Sequence, residues 1–341
     1  MNSLKVCSFN TCEPISLYAF RVKHMQSLEL SEIILLIEDE TIRMLNLYYD
    51  PIYTEGLDPS VRFPRERYQL LAARLKENSS IHIQRPPLAT REQIGTAHDE
   101  RYVDLFIEGK LEPAAIRRIG LRPWTPTIVE RTLRLVGGSL SALDHALSNI
   151  TIAGNMAGGT HHAYRDCGSG YCIFNDVAIC ALAALKEPGI KKILILDLDV
   201  HQGDGTAAIL QEHSDIFTCS IHAESNFPFR KQQSDLDVHL ADETKDADYL
   251  ACLDRTLEKV QPNDYDCILF QAGVDPLQED ALGRLALTRT GLRQRNERVF
   301  QLHRQYDLPV VIFMGGGYAK PIERAVDAFE DLFTQAAQYT V

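Results

Sequence analysis

Apolar positions along this chain change spacing in a regular way. From residue 48 onward, segments with apolar residues three and four apart predict helices, as in residues 65–77 (RERYQLLAARLKE). Thr90 with Gln93 has the form of a capping box opening a short helix. Residues 99–108 predict another helix, stopped by Gly109, and residues 126–148 a long one. The pair Gly137-Gly138 inside that long helix marks a place of close packing. Short apolar runs of strand length then alternate with helices. The runs are residues 150–153, 192–198, 216–221, 267–272 and 310–314, and the helices are 176–186, 247–260, 290–306 and 323–337. Strands that are apolar throughout, separated by helices, predict an α/β fold with a mainly parallel sheet covered on both faces. Residues 1–47 lack this alternation and contain one ambiguous apolar stretch, 28–36. They are read as an N-terminal extension of unknown role, followed by one catalytic domain over residues 48–341.

The polar residues with unusual spacing fall just past the predicted strand ends. That is the edge where open parallel sheets bind ligands. His161 and His162 follow the first run; Asp197, Asp199, His201 and Asp204 follow the second; Ser220 and His222 end the third. Asp275 and Asp280 follow the fourth, and Tyr318 closes the MGGGY segment after the fifth. Read as a strand, Asp197, Asp199 and His201 share one face. Three ionisable groups on one side of an apolar strand are costly to bury unless a cation joins them. One imidazole and two carboxylates suit Zn²⁺ with a position left open for water, and Asp275 from another strand is the natural third ligand. Each feature alone has a plainer reading. Adjacent histidines are often structural, a G-G-G-Y is often only a turn, and an aspartate such as Asp275 can cap a helix. All of these readings would have to hold at five strand ends together.

Composition narrows the classes. The chain has 341 residues, 45% of them hydrophobic, which suffices for a sizeable core. Its net charge of -12 disfavours direct nucleic acid binding and tolerates a cationic substrate or product. The eight cysteines include no C-x-x-C pair, so they are expected to be reduced, buried thiols in a cytoplasmic protein. The longest early apolar run, residues 33–37, is too short to span a membrane, and no secretory signal is expected.

The segments RRIGLRPWTP (117–126), GGTHHAYRDCGSGYCIFNDVA (158–178), ILDLDVHQGDGTA (195–207), SNFPFRKQQSDLDV (225–238), AGVDPLQEDALGRLALT (272–288) and GGGY (315–318) resemble the histone deacetylase family. That family includes acetoin-utilisation proteins and acetylpolyamine amidohydrolases, and the resemblance is strongest to its class IV branch. It covers about residues 48–335 and implies the arginase-like α/β fold. It also implies that Asp199, His201 and Asp275 hold one zinc per chain, iron(II) being the other candidate ion. By the same resemblance His162 is the general base and later acid, His161 its electrostatic partner, Asp197 orients His161, and Asp204 orients His162. Tyr318 donates its hydroxyl to the substrate carbonyl. Gly170, Tyr171 and Cys172 line an acyl-lysine tunnel, with Tyr171 where many members carry Phe. A structural potassium ion is implied at Asp197, Asp199, His201, Ser220 and Ile221. Leu282 matches the rim gatekeeper, and its apolar character favours an acyl-lysine protein or peptide over a small acetylated amine such as a polyamine. The stretch DPSVR (58–62) before Phe63-Pro64 departs from the Gly-His pair of many relatives, which bears on the rim. A binuclear manganese ureohydrolase and a silent acyl-lysine reader are the competing classes. The first needs more bridging aspartates, and the second is expected to have lost Tyr318, a histidine or a ligand. The oligomeric state is left open.

Overall fold

The computed structural model describes residues 44–340, and every structural statement below concerns these residues. In chain order the strands are β1 (Leu45–Tyr48), β2 (Ile81–Gln84), β3 (Ile152–Asn155), β4 (Ile193–Asp197), β5 (Ile216–Ala223), β6 (Leu236–Leu240), β7 (Cys267–Gln271) and β8 (Val310–Phe313). They form one sheet in the order β2-β1-β3-β8-β7-β4-β5-β6, with every pairing parallel. The helices are α1 (Ile52–Glu55), α2 (Glu66–Leu75), α3 (Arg91–Gly95), α4 (Glu100–Ile107), α5 (Pro113–Ile119), α6 (Ile128–Asn149), α7 (Asp176–Ala184), α8 (Asp204–Leu210), α9 (Asp246–Val260), α10 (Arg289–Tyr306) and α11 (Glu323–Ala336).

The inner strands β1, β3, β4, β7 and β8 are buried along their whole length, as a sheet covered on both faces requires. Helices α6 and α7 pack on each other and on these strands, while α2, α11, α10 and α9 pack in a row, each on the next. The Gly137-Gly138 expectation holds: a Cβ at Gly137 would meet the Pro87 carbonyl oxygen at 2.0 Å. The capping box at Thr90 also forms, with Thr90 Oγ1 accepting from the Gln93 amide at 3.2 Å and Gln93 Oε1 accepting from the Thr90 amide at 2.8 Å.

Several elements differ from the periodicity reading. Strands β1, β2 and β6 were not expected. Each has only four or five residues, and β2 and β6 are sheet edges whose polar residues break the apolar run. Strand β1 straddles the expected boundary at residue 47, and residues 1–43 of the expected extension lie outside the described residues. Strand β3 begins two residues later than expected because Ile150, with φ 48°, closes α6 in the left-handed region. The six described cysteines are all unbonded, and five of them are buried. No described helix is long and apolar enough to cross a membrane.

The sheet order has a consequence for chemistry. The chain runs from β3 to β4, leaves for the β6 edge, and returns to insert β7 and β8 between β3 and β4. The carboxyl ends of β3, β8, β7 and β4 thus lie side by side, although they are remote in sequence.

Candidate active site and metal centre

Strand β4 ends at Asp197, so Asp199 and His201 stand on the bend that follows it. The shared face expected from strand alternation is therefore produced another way. Asp197 Oδ1 accepts from the Asp199 amide at 3.2 Å, and Asp199 Oδ1 accepts from the His201 amide at 3.0 Å. Two successive side-chain-to-backbone turns set the ligand side chains. Past β7, Asp275 Oδ1 accepts from the Val200 amide at 2.9 Å, which ties the two loops together; it does not cap a helix.

Asp199, His201 and Asp275 are buried, and one ligand atom from each lies within 4.8 Å of the others. His201 Nδ1 stands 2.9 Å from Asp199 Oδ1 and 3.2 Å from Asp275 Oδ2. Asp275 Oδ2 has no hydrogen-bond partner despite full burial, which a coordinating cation would satisfy. The electrostatics agree. Burial and the Asp199 charge push Asp275 up to about 7. Burial lowers His201, but the two carboxylates outweigh it and hold the imidazole up at about 10. A buried pair of carboxylates that draws positive charge this strongly fits a divalent ion with one nitrogen and two oxygen ligands.

The loop after β3 carries the paired histidines. Asp176 fixes it, its carboxylate accepting from Ser139 Oγ at 2.6 Å and from the Gly159 and Thr160 amides at 3.1 and 2.8 Å. His161 Nδ1 pairs with Asp197 Oδ2 at 2.7 Å, and His162 Nδ1 pairs with Asp204 Oδ1 at 2.6 Å. The rings lie 4.1 Å apart between centroids, and their environments split them. For His161, burial lowers the pKa, but Asp197 and Asp199 outweigh it and hold it at about 9. For His162, burial and then the charge on His161 push it down to about 4. The carboxylates favour the charged form at His161, while burial favours the neutral form at His162.

Tyr318 lines the same cavity. Its amide donates to Asp280 Oδ2 at 2.6 Å, while its hydroxyl makes no hydrogen bond among the described residues. Gly170 has φ 52°, and a Cβ there would meet His162 Cδ2 at 2.8 Å. Tyr171 follows at φ 67°, a rare conformation for a tyrosine, with its amide donating to the Ile119 carbonyl at 2.7 Å. Its ring lies 5.5 Å from Phe63 and 6.0 Å from Tyr318. The whole cavity is about 990 Å³ and is lined by Gly170, Tyr171, Cys172 and Leu282 together with the metal-type cluster and the histidines.

The profile of the histone deacetylase domain matches residues 61–332. The chain belongs to the histone deacetylase family. An uncharacterized protein of Picosynechococcus sp. is 43% identical over 286 residues, covering 82% of this chain and 93% of that protein. Histone deacetylase 2 of Arabidopsis thaliana is 32% identical over 205 residues, 59% of this chain and 53% of its own length. The acetoin utilization protein AcuC of Staphylococcus aureus is 31% identical over 262 residues, 70% of this chain and 67% of its own. This chain spans about half of the Arabidopsis relative. Membership supports a deacetylase, a hydrolase acting on acetylated substrates.

In this deacetylase-family chain the tandem histidines, Asp197 and Asp204, the three cluster residues, Tyr318 and the Gly170–Cys172 segment all meet at one sheet edge. Ser220 and Ile221 lie on β5 beside β4, with Ser220 in register with Asp197. His222 is different. Its Nδ1 faces Ser220 Oγ at 2.9 Å and its Nε2 faces His239 at 3.0 Å, so it belongs to the β5–β6 pair and not to the cavity.

Sequence reasoning assigned no role to several residues that shape the site. Phe227 stacks edge-on against His162 at 4.9 Å and forms the tunnel wall opposite Gly170. Asp280 accepts three backbone amides, from Leu282, Gly283 and Tyr318, and so sets both the rim and the tyrosine. Arg295 on α10 is fully buried and donates to the carbonyls of Leu198, Ala272 and Gly273, just before the ligand-bearing bends. Its position in a polar helix, RTGLRQRNERVFQLHRQY, gave no signal that it points inward.

Proposed function

We propose that this chain is a zinc-dependent amidohydrolase that removes acetyl or longer acyl groups from lysine side chains. The observation that carries the proposal is His162, kept in its neutral form by burial and bonded to the Asp204 carboxylate, beside the buried Asp199–His201–Asp275 cluster in one cavity. When bound, the divalent ion supplies Lewis-acid polarisation of the amide carbonyl and acidifies water. The residues do the rest. His162, held as the free base by burial, takes a proton from the attacking water and returns it to the departing amine. Asp204 fixes that ring through Nδ1, and Tyr164 donates to the other oxygen of Asp204 at 2.8 Å. His161 remains charged between Asp197 and Asp199 and supplies positive potential. The Tyr318 hydroxyl, with no protein partner to lose, is available to the developing oxyanion. Phe227 and Tyr171 hold the aliphatic part of the acyl-lysine, and Gly170 leaves room for it next to His162. The Asp197–Ser220–Ile221 region is proposed to hold the structural potassium ion, whose charge would stabilise the bend after β4.

The test is a panel of acetyl-, butyryl- and longer acyl-lysine peptides with acetylspermidine, assayed with and without a chelator and with zinc or iron(II) restored. Turnover of peptides that is abolished by chelation and restored by one zinc per chain is the expected result. Turnover that survives exhaustive removal of metal would overturn the proposal.

A further inference from the structure

The mouth of the cavity carries a charge pattern opposite to that of the chain. The protein has a net charge of -12. Three carboxylates line the cavity, Asp199, Asp204 and Asp275, and all are buried at its floor. The exposed charged residues among the lining are Arg118, Arg230 and Arg284, and no exposed carboxylate is itself part of the lining. Arg284 is partly neutralised by Asp242 at 3.3 Å. Arg118 and Arg230 form no ion pair among the described residues, whereas Arg284 does.

Arg118 is held against the cavity wall, and the segments carrying Arg230 and Arg284 are fixed to each other. Arg118 lies over the ring of Tyr164 at 5.6 Å, and the Tyr164 hydroxyl donates to Asp204, the partner of His162. Asn226 joins the other two sides of the mouth. Its Nδ2 donates to the Leu282 carbonyl at 2.7 Å, and its Oδ1 accepts from the Arg284 amide at 3.0 Å. The segment carrying Phe227, Phe229 and Arg230 is thereby fixed against the segment carrying Leu282 and Arg284. Two apolar side chains of the lining are also exposed, Phe229 at 88% and Leu282 at 45%. An apolar collar within a basic frame suits a substrate with an aliphatic stem and carboxylates near its base.

We propose that the mouth selects acyl-lysines set among acidic residues, Arg118 and Arg230 pairing with carboxylates that flank the modified lysine while Phe229 and Leu282 cover its stem. The proposal rests on the acyl-lysine reading above. Guanidinium groups left without partners pair readily with carboxylates, in a fork that fits both oxygens. A local basic patch on an acidic body also concentrates anions at the entrance and repels cationic substrates. Net charge alone suggests tolerance of a cationic substrate, whereas three exposed arginines in the cavity lining favour an anionic one.

The experiment uses the metal-loaded full chain and three acetyl-lysine peptides that differ only in the residues on either side: two Glu, two Gln or two Lys. Near 20 mM ionic strength the Glu peptide is expected to exceed the Lys peptide by about tenfold in kcat/KM, through KM with kcat nearly equal, since exposed pairs are individually weak. At 0.5 M salt the difference is expected to shrink to about twofold or less. In the Arg118→Gln/Arg230→Gln variant the same loss of discrimination is expected at low salt, with metal content and thermal midpoint unchanged. Equal or reversed preference in the parent chain overturns the proposal, as does discrimination that persists in the double variant. If no peptide is turned over, the acyl-lysine reading falls. Anisotropy of the labelled Glu and Lys peptides then decides the charge preference on its own, tighter binding of the Glu peptide supporting it and equal binding overturning it.

Discussion

Replacing Tyr318 with Phe separates catalysis from stability in a way this geometry makes quantitative. The substitution removes one oxygen and keeps the ring. The ring contacts therefore persist: Phe63 at 6.0 Å, Tyr171 at 6.0 Å and the Arg67 guanidinium at 5.6 Å. The hydroxyl donates to nothing among the described residues, so no buried partner there is orphaned and no hydrogen bond among them is lost. Stability is expected to change by less than about 0.5 kcal/mol, the usual range for a substitution that disturbs no packed or bonded group. Turnover is another matter. Removing one donor to a developing oxyanion typically costs about 10²–10³ in kcat, or roughly 2.7–4 kcal/mol of transition-state stabilisation. The variant is expected to bind one divalent ion with parental affinity, because Tyr318 lies outside the Asp199–His201–Asp275 cluster. The assay combines kcat and KM on one acetyl-lysine peptide with metal content and urea unfolding of parent and variant. Near-parental kcat would remove Tyr318 from the chemistry. A large loss of stability or of metal would show that the hydroxyl has structural work that this geometry does not assign to it.

Three further outcomes follow from the same coordinates. Divalent metal at a hundredfold over its dissociation constant is expected to stabilise the folded chain by about 2.7 kcal/mol, and Asp275→Asn to reduce that gain sharply; a calorimetric or fluorescence melt with and without metal measures both. Arg295→Met leaves the Leu198, Ala272 and Gly273 carbonyls without their buried donor. It is expected to cost about 3–5 kcal/mol in urea unfolding and to weaken metal binding, since those carbonyls precede the ligand bends. His98 is held neutral: its Nε2 accepts from the Asn175 amide at 2.8 Å, and burial pushes its pKa down from 6.5 to about 4. The unfolded chain takes up a proton that the folded chain refuses, so this contribution is complete above pH 6.5 and is lost as pH falls towards 4. The drop corresponds to about 3 kcal/mol. His98→Gln, whose side-chain oxygen can accept from Asn175, is expected to flatten the fall in stability between pH 7 and 4.5, and an unchanged slope would refute the assignment.

The candidate site residues were legible because the chemistry proposed for them needs scarce residue types at fixed offsets. Paired histidines, D-x-D-x-H and a tyrosine after three glycines stand out in any chain, and each fell just past a run that periodicity marked as a strand. The residues that hold them were not legible. Arg295 sits in a helix of mostly charged and polar residues, and nothing in that pattern distinguishes a clamp on three carbonyls from a solvated cation. Asp280 and Asn226 are common loop residues whose value lies in the backbone groups they happen to meet. The ligand geometry at Asp199 and His201 was expected for the wrong reason, because β4 stops at Asp197 and side-chain-accepted turns replace strand alternation.

By itself, the sequence determined the alternation of strands and helices, the side of the sheet where polar residues collect, and the identity of the groups available for metal and proton chemistry. These are local properties, set by periodicity and residue type. Only the tertiary structure decided that β7 and β8 insert between β3 and β4, which makes neighbours of Asp199, Asp275, His162 and Tyr318. It alone decided that the two histidines of the pair are pushed in opposite directions, because burial and distance to carboxylates set that balance. It alone gathered three arginines around the mouth of an acidic protein, since total charge says nothing about where each charge stands.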